Sequence, residues 1–167
     1  DDRTILGYKK ENFRMSFGNT FRYKDFELYM LFTGIFGGNG YGQAVNYYAF
    51  RTSSDVQGDN NFNHGWWTPE NKSNKYPRIN YTDGRYTPLQ GYGFVRLQDL
   101  SLSYTFRQPW VQKAGIGNLK VYMACKNLFT ISGWEGGDPE VQQTLGSGYT
   151  YGYPLSRTVS FGLNLTF

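Results

Sequence analysis

The chain has 167 residues, 39% of them hydrophobic, 19% aromatic and 18% charged, with a formal net charge of +4. Its 17 Lys and Arg are scattered along the chain rather than clustered, which argues against a nucleic-acid binder, and its one cysteine, Cys125, allows no internal disulfide and no cysteine-based metal site. No apolar run approaches the roughly 18 residues of a transmembrane helix.

What the totals leave open is a β-protein with both a wet and an oily surface. Tyr 15, Phe 13, Trp 4 and Gly 21 are high counts for this length, and rings with an apolar body and a polar tip suit a membrane–water boundary. Asp1-Asp2-Arg3 is not a charged-then-apolar leader. Either a leader has been removed or the chain begins inside a larger protein.

Taken in chain order, the first strong signal is period-two alternation near residues 13–23. Phe13, Met15, Phe17, Phe21 and Tyr23 share one face, and Arg14, Ser16, Gly18, Thr20 and Arg22 the other. That is a β-strand seen from its two sides. Lys24-Asp25 makes a polar turn, and a second strand occupies 25–36, with Phe26, Leu28, Met30 and Phe32 on one face. Residues 37–92 are rich in Gly, Asn, Asp, Ser and Tyr and carry Pro69, Pro77 and Pro88. They read as one long loop, with room for a short helix near 43–51.

The third strand falls at 95–106. Leu100, Leu102, Tyr104 and Phe106 share a parity with Arg96 and Gln98, whereas Val95 and Leu97 fall with Asp99, Ser101 and Ser103. The apolar side therefore changes near Leu100, either because the first part stands above a membrane or because a bulge intervenes. Pro109–Gly117 reads as a compact connection with about one helical turn. The fourth strand is placed at 118–128, with Leu119, Val121, Met123 and Cys125 on one face, and residues 129–157 form a second long loop. The fifth strand, 158–167, is the clearest. Val159, Phe161, Leu163, Leu165 and Phe167 oppose Thr158, Ser160, Gly162, Asn164 and Thr166. Ten residues rise about 34 Å and, tilted by about 40°, span roughly 26 Å, the height of an outer-membrane barrel's apolar band.

Connections that alternate short, long, short, long match a barrel with short periplasmic turns and long external loops. The expected facing is Phe161, Leu163 and Leu165 towards lipid, with Arg14, Arg22, Glu27, Lys120 and Lys126 towards the wet lumen. Cys125 is expected on the apolar side as a free thiol. Five strands cannot close a barrel, since about eight is the small limit and open edges cannot sit in lipid. The chain is therefore expected to be part of something larger or to pair with another chain.

Several segments carry a family likeness. They are Asp2–Gly7, Gly65-Trp66-Trp67-Thr68-Pro69-Glu70-Asn71, Lys75-Tyr76-Pro77-Arg78 and Val95–Phe106. Leu119-Lys120-Val121-Tyr122, Lys126-Asn127-Leu128-Phe129-Thr130, Gly137-Asp138-Pro139-Glu140-Val141 and Tyr153–Thr158 continue it to Phe167. In that order they resemble the C-terminal region of SusC/RagA-type transporters, the TonB-dependent outer-membrane importers of the Bacteroidota. The resemblance implies an all-β fold, in which these about five antiparallel strands are the C-terminal part of a large transmembrane β-barrel of about 22 strands around a plug, the plug lying outside this chain. It implies import of glycans or oligopeptides, a SusD-like surface lipoprotein, the TonB complex, and the rest of the barrel and outer-membrane lipid as neighbours. It also gives Phe167 the part of an assembly signal. One more girdle aromatic is the plainer reading of that residue.

Residue chemistry adds candidates but no reaction. Trp66, Trp67, Tyr81 and Trp134 lie in the long loops, where flat rings stack on sugars or, more commonly, pack against neighbouring loops or a lid. His64 is the only histidine and has no partner for a metal set or a triad, so an enzyme is not expected. Asp55, Asp59, Asn60 and Asn61 could offer oxygens to Ca²⁺, but their spacing is not that of an EF-hand loop, and a polar turn cluster is the better reading. No other cofactor is expected. The reading from a different class is a secreted, aromatic-rich β-domain that binds carbohydrate. It would need apolar faces packed inward and short, regular turns.

Overall fold

The computed structural model describes residues 4, 5, 7–41, 67–74, 78, 89–134, 138–140 and 154–167. Within them run β1 (Phe13–Tyr23), β2 (Phe26–Phe36), β3 (Asn39–Tyr41), β4 (Leu89–Gly91), β5 (Phe94–Phe106), a short helix α1 (Pro109–Lys113), β6 (Asn118–Ser132) and β7 (Thr158–Thr166). Five strands form one antiparallel sheet in the order β1-β2-β5-β6-β7, while β3 and β4 pair separately.

Several boundaries differ from those the alternation gives. β2 starts at Phe26, because Lys24 takes φ 53° and turns the chain with Asp25. β5 starts one residue earlier, at Phe94, and β7 ends one earlier, at Thr166. The stretch 37–92 is not loop throughout, since its two ends pair as β3 and β4. The larger difference is β6, which runs on through 129–132 to Ser132. Asn127, at φ 50°, opens a bulge there and interrupts the alternation without ending the strand. A helix near 43–51 lies outside the described residues.

Each row across the sheet keeps one chemistry. Phe21, Leu28, Leu102, Met123 and Phe161 align across all five strands, and Tyr23, Phe26, Tyr104, Val121 and Leu163 form the next row. On the opposite face the corresponding row reads Arg22, Glu27, Ser103, Tyr122 and Gly162. The apolar rows are bare: Phe161 is 78% exposed and Phe21 53%. A soluble sheet would bury such a face, because each large side chain left in water forgoes about 1.5–3 kcal/mol. This face is built to be covered by something oily.

The bulge settles the parity change in β5. Leu31 pairs with Asp99 but Phe32 pairs with Leu97, so Gln98 is extra on β5. Above it Arg96 aligns with Thr33 and Phe94 with Ile35, on the polar face. Arg96 therefore does not share a face with Leu100 and Phe106, as simple parity has it. β6, at 15 residues, is about 51 Å long and rises about 39 Å at a 40° tilt, well beyond a roughly 25 Å apolar band. Its upper end and that of β5 thus stand clear of the band.

Candidate functional site at the loop-bearing end

The best-buried part of the sheet is its loop-bearing end. Ile35, Tyr92 and Phe94 form a small core with Trp134 packed against it. Tyr92 fits because Gly38, at φ +77°, carries no Cβ; one there would stand 2.8 Å from the ring's Cε2. The Tyr92 hydroxyl donates to the carbonyl of Lys9. Asn39 N–H donates to the Tyr8 carbonyl at 2.7 Å and Asn12 N–H to the Phe36 carbonyl at 2.8 Å. Segment 8–12 is thereby sewn to the end of β2, to the start of β3 and to Tyr92. The Ser132 hydroxyl donates to the Gly93 carbonyl at 2.8 Å and receives the Trp134 N–H at 3.0 Å. The Trp134 indole N–H is buried and meets no partner among the described residues.

Beside this core lies a buried charge. Arg96 is 2% exposed. Its Nη2 bridges Asp138 Oδ1 at 2.6 Å, its Nη1 bridges Glu140 Oε2, and its Nε donates to Thr130 Oγ1 at 2.9 Å. The guanidinium carbon also lies 5.0 Å from the centre of the Phe94 ring. Asp138 receives more than the arginine: its Oδ1 accepts the Glu140 N–H at 3.0 Å and its Oδ2 the Leu155 N–H at 3.2 Å. Two strands and both ends of the 133–157 connection meet on one carboxylate and one guanidinium. Taking such ions out of water is tolerable only when charge and hydrogen bonds are both met, as they are here. The arrangement is a clasp. Among the described residues no group of three or more His, Cys, Asp or Glu could hold a metal ion.

The sequence candidates are distributed as follows. Trp67 is 38% exposed, and Trp134 is partly buried in the loop-end core. Trp66, Tyr81, His64, Asp55, Asp59, Asn60 and Asn61 lie outside the described residues. Arg14, Arg22, Glu27, Lys120 and Lys126 all sit on the polar face. Glu27 joins Arg22 at 2.6 Å and Lys120 at 3.5 Å, and Arg14 joins Glu11 at 2.7 Å. A backbone hydrogen bond first, and Arg14 second, hold the Glu11 carboxyl below its ordinary range. These pairs are partly exposed, so water screens them and each contributes little. Phe161, Leu163 and Leu165 are on the exposed apolar face, and Phe167, just past β7, is 88% exposed. Cys125 is a free thiol on the apolar row with Leu100 and Val159, yet only 5% exposed.

Sequence reasoning missed the clasp, although both of its segments carried the family likeness. The usable signal was Arg96 inside the apolar run Phe94-Val95-Arg96-Leu97, where a cation needs a carboxylate partner.

No family model matches the chain. TonB-dependent receptor P3 of Formosa agariphila is 30% identical over 177 residues, covering 99% of this chain and 17% of the receptor. TonB-dependent receptor P26 of the same organism is 27% identical, covering 100% of this chain and 18% of its own length. TonB-dependent receptor SusC of Bacteroides thetaiotaomicron is 34% identical over 76 residues, 44% of this chain. Among solved structures, the RagAB peptide importer in its open-open state superposes with a TM-score of 0.68 at 23% identity, covering 98% of this chain and 18% of that one. The closed-closed state gives 0.67 at 21% identity. The chain spans about a sixth of the length of the relatives it matches.

A sheet with one bare apolar face, one polar face and this neighbourhood is a piece of wall from an outer-membrane β-barrel. Its homologues along the whole chain are TonB-dependent receptors of the SusC/RagA type, proteins of the outer membrane in Bacteroidota.

Proposed function

We propose that this segment forms part of the wall and external mouth of a TonB-dependent importer, and that the complete receptor takes up oligopeptides or glycans with a SusD-like surface lipoprotein at its mouth. The observation that carries the reading is the two-faced sheet whose loop end is folded into a rigid base by Tyr92 and the Arg96–Asp138–Glu140 clasp. A wall that only sealed the membrane would not need a buried charge network beyond the apolar band. A mouth that must present two long connections at fixed positions does. Peptide cargo is placed first, because the solved structures it superposes on are peptide importers by name.

The test uses the full-length receptor. A strain lacking it is supplied with fluorescent oligopeptides and, separately, with labelled oligosaccharides. Loss of uptake of one class, restored by the wild-type gene and not by a version with 133–157 replaced by a Gly/Ser linker, supports the reading. Undiminished uptake of both classes sinks it.

A further inference from the structure

The turn end of the sheet carries a feature that barrel closure does not require. After β5 the chain folds into α1 and a stop built from five hydrogen bonds. Val111 N–H donates to the Gln108 carbonyl at 3.0 Å, Ala114 to Trp110 at 3.1 Å, Gly115 to Gln112 at 3.0 Å and Ile116 to Val111 at 3.1 Å, while Gly117 N–H reaches the Thr166 carbonyl of β7 at 2.7 Å. Gly115, at φ +75°, supplies the left-handed residue that ends the helix. Val111, 2% exposed, pins the turn from one side. Its neighbour Trp110 stands 52% exposed.

Trp110 continues the lipid face. Phe26 lies 4.6 Å from Tyr104, Tyr104 4.7 Å edge-on to Phe106, and Phe106 5.9 Å edge-on to Trp110, measured between ring centres. Phe106 belongs to the apolar row with Leu119 and Leu165, so the ring column descends that face and ends on the indole. Lys113 follows three residues later, exposed and on the same side of the turn. Lys24 lies 5.4 Å from the centre of the Tyr23 ring at the same end, and Arg107 stands 77% exposed beside Asp25. An indole at the foot of an oily face, with Lys113 on the same helical turn and Lys24 at the same end of the sheet, matches the acyl boundary and the phosphate layer of a bilayer.

We propose that the α1 turn is a docking site for a phospholipid of the periplasmic leaflet, with Trp110 at the acyl boundary and Lys113 against the phosphodiester. The short connections place this end on the periplasmic side. The occupant is argued from continuity with the lipid-covered face and from charge, and it is independent of what the receptor imports.

The full-length receptor in detergent is titrated with phosphatidylglycerol and followed by native mass spectrometry. Lys113→Ala should lower lipid retention about fivefold, the factor given by about 1 kcal/mol per basic residue near an anionic surface. Trp110→Ala should lower it at least as much, and millimolar inorganic phosphate should not displace the lipid. Unchanged retention in both variants, or displacement by inorganic phosphate, overturns the proposal. A second measurement uses the receptor in bilayers, stripped of its native cysteines (Cys125→Ala among them), with a fluorophore on a single cysteine introduced as Trp110→Cys or as Leu163→Cys. Brominated phospholipids should quench both. Quenching at position 163 alone overturns the lipid site and leaves the membrane placement standing, while quenching at neither overturns both.

Discussion

Arg96 shows how much a single side chain can hold in place. It bridges Asp138 and Glu140 from a position that is 2% exposed. Arg96→Ala leaves the Asp138 carboxylate buried, at 8% side-chain exposure, without its counter-charge. Breaking such a pair on one side costs about 3–5 kcal/mol. The expected outcome is local, because the rows of β1, β2 and β7 do not depend on it. Proteolysis of intact cells should cut within 141–153 far faster in Arg96→Ala than in the wild type, with barrel yield nearly unchanged. Arg96→Lys should behave like the alanine variant, since one ammonium cannot span two carboxylates and Thr130 Oγ1 as the planar fork does. Equal cleavage rates in all three proteins would show that the clasp does not hold this connection.

Among the elements, β7 is registered by a void that an aromatic fills. Gly162 aligns with Tyr122, and a Cβ on Gly162 would stand 2.6 Å from the Tyr122 Cε1. The ring therefore covers the glycine across the strand pair and marks one register out of several. Gly162→Val should destabilise the β6–β7 pair by about 1–3 kcal/mol through overpacking, and Tyr122→Ala in the same protein should recover most of the loss. Ser160→Val, opposite the small Ala124, should change little. The readout is the folded fraction seen by heat-modifiable gel mobility. A double variant no better than Gly162→Val would refute the register lock. Asn127 makes a related point. It adopts φ 50° and its Nδ2 donates to the Ser156 carbonyl at 3.2 Å. Asn127→Val should cost about 1–2 kcal/mol for the left-handed backbone alone, while Asn127→Gly loses only the hydrogen bond, so the valine variant should unfold at the lower temperature.

The same two elements explain what could be read from the chain beforehand. Strands with uninterrupted alternation, such as β1 and β7, were legible because each obeys one period from end to end. β6 reads short in the sequence because Asn127 breaks that period inside a continuous strand. The side that Arg96 takes stays open there, between a change of surroundings and a bulge, because parity carries no information across Gln98, the residue that is extra against β2. The clasp was hidden for another reason: its partners are 42 and 44 residues apart, and no local pattern reports a contact that only the folded connection makes.

At the scale of the whole molecule, the two faces assign two solvents, and this can be tested with adjacent residues. Leu163 lies on the bare apolar row with Tyr23, Phe26, Tyr104 and Val121, and is 66% exposed. Asn164, the next residue, pairs with Lys120 on the polar face. An arginine at each position adds the same charge and nearly the same bulk to the same stretch of β7, so a difference between them reports facing alone. On the lipid side the charge should cost about 2–4 kcal/mol near the bilayer midplane and less towards an interface. On the polar face water already solvates Lys120, and the only added cost is repulsion between two partly exposed cations, within about 1 kcal/mol. Leu163→Arg in the full-length receptor should therefore reduce the folded amount in the outer membrane several-fold, and Asn164→Arg should leave it close to wild type. The reverse order would mean that water, not lipid, borders the row through Leu163.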